Sequence, residues 1–102
     1  MNTNTTKKKL VAIVTGASSG MGLGITRALL RYGYHVVANS RNISKSMDLK
    51  DSSDLILVDG DISKIESAIK VVDAAIKHFN RIDLLINNVG IHAQAIYRLY
   101  TG

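Results

Sequence analysis

The sequence predicts an α/β fold: a parallel sheet of about four strands in the order 3-2-1-4, with helices on both faces. Three observations carry that reading. Short apolar, partly β-branched runs recur at Leu10–Val14, Leu55–Val58 and Ile82–Ile86, with a further strand-like run at His35–Ser40; such composition suits parallel strands buried on both sides. Stretches with helical spacing follow the first and third runs. Between the first run and its helix lies a glycine-rich turn, Gly16 to Gly22. Right-handed crossovers from strand one to two to three, then a return to place the fourth beside the first, give the order 3-2-1-4.

Taken in order, the chain opens with a polar segment and Lys7-Lys8-Lys9, read as a flexible basic leader over residues 1–9. The first strand ends at Thr15. From Leu23 onward, Ile25, Ala28, Leu29 and Tyr32 hold helical spacing, and Gly33 is the expected stop. His35–Ser40 is the second strand, closed by Arg41. Residues 42–53 are polar and serine-rich, a connector with at most a short helical turn. Leu55–Val58 is the third strand and Asp59-Gly60-Asp61-Ile62 its exit turn. Ser63-Lys64-Ile65-Glu66 fits a capping box, and Ile65, Ala68, Ile69, Val72, Ile76 and Phe79 continue a helical stripe from it. Ile82–Ile86 is the fourth strand, followed by Asn87-Asn88-Val89-Gly90. Residues 10–90 read as one unit, and 91–102 as a tail of no recognisable pattern.

The glycine turn carries the chemistry. The first N–H groups of a helix lack intrahelical partners, and the helix dipole places partial positive charge there, so a pyrophosphate is favoured at that position. Lacking β-carbons, Gly16 can take the tight turn, Gly20 can let a ligand approach the backbone, and Gly22 can let helix and strand pack closely. Ser18 and Ser19 add hydroxyl donors, beside Met21. The generic G-x-G-x-x-G pattern fails, because Ile25 stands where its third glycine belongs. A P-loop is excluded, since no Lys-Ser or Lys-Thr pair follows the glycines.

Thr15-Gly16-Ala17-Ser18-Ser19-Gly20-Met21-Gly22 resembles the T-G-x-x-x-G-x-G cofactor motif of the short-chain dehydrogenase/reductase family, and further marks of that family follow in order. The resemblance implies part of a Rossmann fold and a nicotinamide dinucleotide. An acidic residue near the end of the second strand would hold an NAD ribose, whereas an arginine accommodates a 2′-phosphate. Ser40-Arg41 stands there, with no carboxylate from Tyr34 to Met47, so NADP(H) is expected over NAD(H). Asp61-Ile62 resembles the family's Asp-hydrophobic pair, implying an acceptor for the adenine amino group and an apolar neighbour for the ring. Asn87-Asn88-Val89-Gly90 resembles Asn-Asn-Ala-Gly, which steadies the central sheet and borders the cofactor; valine replaces the usual alanine. The implied cofactor-binding set is therefore Gly16, Ser18, Ser19, Gly20, Met21, Gly22, Ser40, Arg41, Asp61, Ile62, Asn88, Val89 and Gly90.

The family's catalytic serine and Tyr-x-x-x-Lys have no counterpart. The tyrosines are Tyr32, Tyr34, Tyr97 and Tyr100, and none has a lysine four residues on. No catalytic residue is assigned, and His92, Tyr97 and Arg98 lack an orienting partner for acid-base work. His35 and His78 read as structural or surface residues, without metal-ligand spacing. An amino-terminal piece of a reductase is expected, by truncation, interrupted reading frame or natural loss. A non-catalytic nucleotide-binding or interaction module is the alternative.

Bulk properties agree. Net charge is +5, but three of the cations form the lysine run and the rest are scattered without aromatic interleaving, which argues against nucleic acid and membrane. With 46% hydrophobic and 21% charged residues, no apolar run near about 20 residues and no cysteine, a soluble, unprocessed cytoplasmic protein is expected. An incomplete sheet leaves the fourth strand's edge open, so self-association through it is expected.

Overall fold

A computed structural model describes residues 9–88 and Arg98. The sheet has four parallel strands, β1 (Val11–Thr15), β2 (His35–Ser40), β3 (Leu55–Asp59) and β4 (Leu84–Asn87), in the order β3-β2-β1-β4. Two helices cover it, α1 (Gly20–Arg31) between β1 and β2, and α2 (Ile65–Phe79) between β3 and β4. The 42–53 connector contains one short 3₁₀ turn, Ile43–Lys45. The expected class and strand order are both found.

Period-two alternation sorts the strand side chains between two cores. Val11, Ile13 and Val37 point with Leu85 toward α2, where Ala68, Val71, Val72 and Ala75 meet them. Val14, Val36 and Ala38 point with Ile86 toward α1, joined by Leu23, Leu29, Ile43, Leu49 and Leu55. Every residue of β1 is fully buried, as a strand flanked on both edges and both faces must be. Each Val or Ile so buried contributes about 1.5–3 kcal/mol.

Three local expectations are corrected. Leu23 does not begin α1, because the helix already starts at Gly20 and so contains Gly20 and Gly22 in its first turn. The capping box at Ser63-Lys64-Ile65-Glu66 does not form. The N-cap is Lys64, in extended conformation and without a side-chain bond, while the Ser63 hydroxyl and N–H both donate to Asp61 Oδ1 at 2.7 and 3.0 Å. Ser63 is instead held in the turn after β3, and the helix begins one residue later than the box requires. Finally, α2 buries Ser67, Ala68, Val71, Val72 and Ala75, leaving Ile65, Ile69 and Ile76 exposed. The sequence stripe mixed two faces of one helix.

The strand ends place the site. In register across the carboxyl end of the sheet stand Asn39, Thr15 and Asn87, a polar row that terminates the apolar strands. Because the chain leaves β1 toward β2 on one side and β4 lies on the other, the strand order reverses between β1 and β4. Ligands of open α/β sheets bind outside the carboxyl ends of the strands at such a reversal.

Candidate functional site

A cavity of about 860 Å³ opens at this end of the sheet. Its wall comes from four segments: Gly16, Ser18, Ser19, Met21 and Gly22 after β1; Asn39, Ser40, Arg41 and Asn42 at the end of β2; Gly60, Asp61, Ile62 and Ser63 after β3; and Asn88 after β4. The volume lies in the range of small-molecule and cofactor sites. Of the residues expected at a cofactor, Gly20 does not line the cavity, and Val89 and Gly90 lie outside the described residues. The remaining ten are brought together.

Glycine is required where α1 meets the β1 exit. A β-carbon on Gly22 would fall on the carbonyl oxygen of Gly16, 2.7 Å from its carbonyl carbon and 3.1 Å from the Ala17 α-carbon. The close approach is thus to the turn itself rather than to the strand. Gly20 has φ +55°, a left-handed conformation strained for any side chain, although a β-carbon there would meet nothing within 4 Å. The Thr26 hydroxyl donates to the Gly22 carbonyl at 2.8 Å, anchoring the crowded turn from within the helix.

The amino terminus of α1 is open. Its N-cap Ser19 makes no side-chain cap bond, and no acidic residue lies in the first turn. The terminal N–H groups and the dipole are left for an anion from outside, with the Ser18 and Ser19 hydroxyls beside them.

Two residues outside the expected cofactor-binding set, Asn39 and Thr15, build the floor together with Asn88. Asn39, 1% exposed, donates through Nδ2 to the carbonyls of Val58 at 2.9 Å and Gly60 at 3.1 Å, while its backbone carbonyl accepts the Ala17 N–H at 3.0 Å. It ties the exits of β1, β2 and β3 together. Thr15 donates its hydroxyl to Asn87 Oδ1 at 2.9 Å, and its oxygens accept Asn88 N–H and Nδ2, both at 3.1 Å. Asn88 therefore fastens β4 to β1 at the cavity rim. A polar residue at the end of an apolar strand was the available signal for Asn39 and Thr15.

Among the described residues, the charged side chains lining the cavity are Arg41 and Asp61, whose Nη2 and Oδ2 stand 3.8 Å apart. Arg41 is largely exposed. The Ser63 hydroxyl and N–H donating to Asp61, with the Arg41 charge as a smaller contribution, hold its carboxyl below the usual range, so it is ionised at neutral pH. No group of three metal-ligating side chains occurs among the described residues. His35 lies at the opposite end of β2, stacked on Phe79 at 4.3 Å with its Nδ1 3.0 Å from Asp54 Oδ1. Lys9, at the end of the basic leader, pairs with the same Asp54 at 2.9 Å.

An open helix terminus, a turn that only glycine fits at Gly22 and a polar rim lie together at the strand reversal, where open α/β sheets bind ligands. The family model for short chain dehydrogenase matches residues 10–100. The chain belongs to the short-chain dehydrogenase family. Versicolorin reductase of Emericella nidulans is 37% identical over 87 residues, 79% of this chain and 33% of that protein. The 11-beta-hydroxysteroid dehydrogenase-like 2 of Arabidopsis thaliana is 32% identical over 97 residues, 89% of this chain and 32% of its own length. A protein provisionally named granaticin polyketide synthase ketoacyl reductase 2, from Streptomyces violaceoruber, is 38% identical over 82 residues. A solved short chain dehydrogenase from Bacillus anthracis superposes with a TM-score of 0.71 at 30% identity, over 80% of this chain and 35% of the other. The chain thus spans about a third of the length of the relatives it matches. Short-chain dehydrogenases use a nicotinamide dinucleotide, and the residues present fit one: the α1 terminus carries no side-chain cap and no acidic residue in its first turn, with Ser18 and Ser19 beside it in the cavity wall. No described helix is long and apolar enough to cross a membrane.

Proposed function

We propose that this chain is the NADP(H)-binding portion of a 3-oxoacyl-reductase-like oxidoreductase acting on carbonyl and alcohol groups. The relatives named for reductase and dehydrogenase activity support the reaction class, and Arg41 supports the choice of NADP(H) over NAD(H). The observation that carries the cofactor preference is a cavity whose cationic side chain among the described residues is Arg41, at the end of a β2 that offers no carboxylate. In this reading Gly16, Ser18, Ser19, Met21 and Gly22 receive the pyrophosphate, and Ser40 and Arg41 receive the adenosine 2′-phosphate. Asp61 accepts the adenine amino group, Ile62 packs near the ring, and Asn88, Val89 and Gly90 border the nicotinamide half. The nicotinamide, when bound, supplies or accepts the hydride.

Residues 1–102 contain no Tyr-x-x-x-Lys, so the proton-transfer step is assigned to no residue of this sequence. General acid catalysis typically supplies about a hundred- to ten-thousandfold, and this chain alone is expected to bind NADPH without reducing carbonyl substrates. We also propose a cytoplasmic location and self-association through β4, whose described pairing is to β1 on one side.

Calorimetric titration with NADPH and NADH tests the reading. Saturable binding with NADPH the tighter ligand supports it. No binding of either nucleotide refutes it, and tighter NADH refutes the preference.

A further inference from the structure

The cavity presents a charge pattern that the cofactor reading alone leaves unused. Its one described anion, Asp61, stands 3.8 Å from its one described cation, Arg41, so the two charges facing the adenosine end largely cancel. Asp61 is also held rigidly. Both the hydroxyl and the N–H of Ser63 donate to Oδ1, at 2.7 and 3.0 Å, which leaves Oδ2 as the oxygen turned toward the guanidinium. Arg41, by contrast, is a long and mostly exposed side chain that no other described partner restrains. A fixed carboxylate beside an exposed guanidinium competes with any phosphate for that guanidinium.

We infer that Asp61 limits cofactor discrimination: it competes with the adenosine 2′-phosphate for Arg41, so that the preference for the phosphorylated nucleotide is set by the Arg41–Asp61 pair rather than by Arg41 alone. This rests on the NADP(H) reading above. A 2′-phosphate carries up to two negative charges, and a fixed carboxylate within a Debye length of about 8 Å repels it while sharing the guanidinium that attracts it. A nucleotide without the 2′-phosphate loses nothing to that competition. Asp61 therefore acts on the ratio of affinities and not only on their sum, which separates this role from acceptance of the adenine amino group common to both ligands.

The test uses the full chain, with 2′,5′-ADP and 5′-AMP as probes titrated calorimetrically. Asp61→Asn keeps an oxygen for the Ser63 donors and removes the charge; Asp61→Ser is the second variant should the first fold poorly by circular dichroism. The expected result is a rise of about three- to tenfold in the preference for 2′,5′-ADP over 5′-AMP, shrinking in high salt and mostly lost when Arg41→Ala is present in the same chain. An unchanged or reduced preference in both Asp61 variants overturns the inference, as does an equal rise in the Arg41→Ala background, because Arg41 would then not be the object of competition. If neither probe binds the unsubstituted chain, the cofactor reading fails first and this inference with it.

Discussion

Gly22 and Arg41 show how single residues divide the work at the cavity. A methyl group at Gly22 would collide with the Gly16 carbonyl, which is backbone and cannot swing aside. Gly22→Ala is therefore expected to destabilise the chain by about 1–3 kcal/mol, read as a lower denaturant midpoint, whereas Gly24→Ala, with nothing within 4 Å of its missing β-carbon, is expected to be neutral or stabilising. Equal effects would contradict the close-approach argument. Arg41→Ala is expected to weaken NADPH about ten- to a hundredfold and NADH little; equal losses for both would show that Arg41 does not read the phosphate. That both positions line the cavity was legible in the sequence, because glycine spacing and the residue at a strand end are local patterns. Asn39 was not, since its partners are carbonyls at Val58 and Gly60, and long-range hydrogen bonds leave no periodic trace.

At the scale of elements, α2 shows where periodicity misleads. Ile65, Ile69 and Ile76 are as apolar as the residues beside them, yet the face carrying Ala68, Val71, Val72 and Ala75 is the one on the sheet. Small residues let α2 sit close to β1 and β2, and hydropathy alone cannot rank that fit above larger side chains. Val71→Ala is accordingly expected to cost about 2 kcal/mol, and Ile69→Ala less than about 0.5 kcal/mol, by denaturant titration. Costs of similar size would mean that α2 packs in the other register. The β1–β4 pairing has its own clasp. Asp83 accepts the Val11 N–H at 2.8 Å and two Arg81 donors at 2.7 and 2.8 Å, and its N–H donates to the Val11 carbonyl at 2.8 Å. The Arg81 hydrogen bonds are the chief cause holding its carboxyl below the usual range, with Val11 assisting. A folded-state pKa below the unfolded one gives stability that is complete above about pH 4 and lost as pH falls through the folded value. Asp83→Asn should flatten that acid limb of the stability curve, and an unchanged limb would remove the clasp from the explanation. The same contacts commit the Asp83 carboxylate to Arg81 and to the start of β1.

For the molecule as a whole, the strand order and the two-sided helix cover were legible because alternating strands and helices admit few unknotted arrangements. The exposure of Ile65, Ile69 and Ile76 on α2 was not legible, since those side chains are apolar in the sequence whether or not the sheet covers them. Light scattering across protein concentration is expected to show association through the outer edge of β4; a concentration-independent monomer would refute it. In the proposed reading the β1–α1 turn and the rim at the sheet's carboxyl end form a working dinucleotide site. A ligand that binds only the folded chain raises its stability by RT ln(1 + [L]/Kd). Thermal unfolding followed by circular dichroism over a series of NADPH concentrations should give a midpoint that climbs with nucleotide, less steeply with NADH. A cooperative transition whose midpoint ignores saturating NADPH would contradict the account.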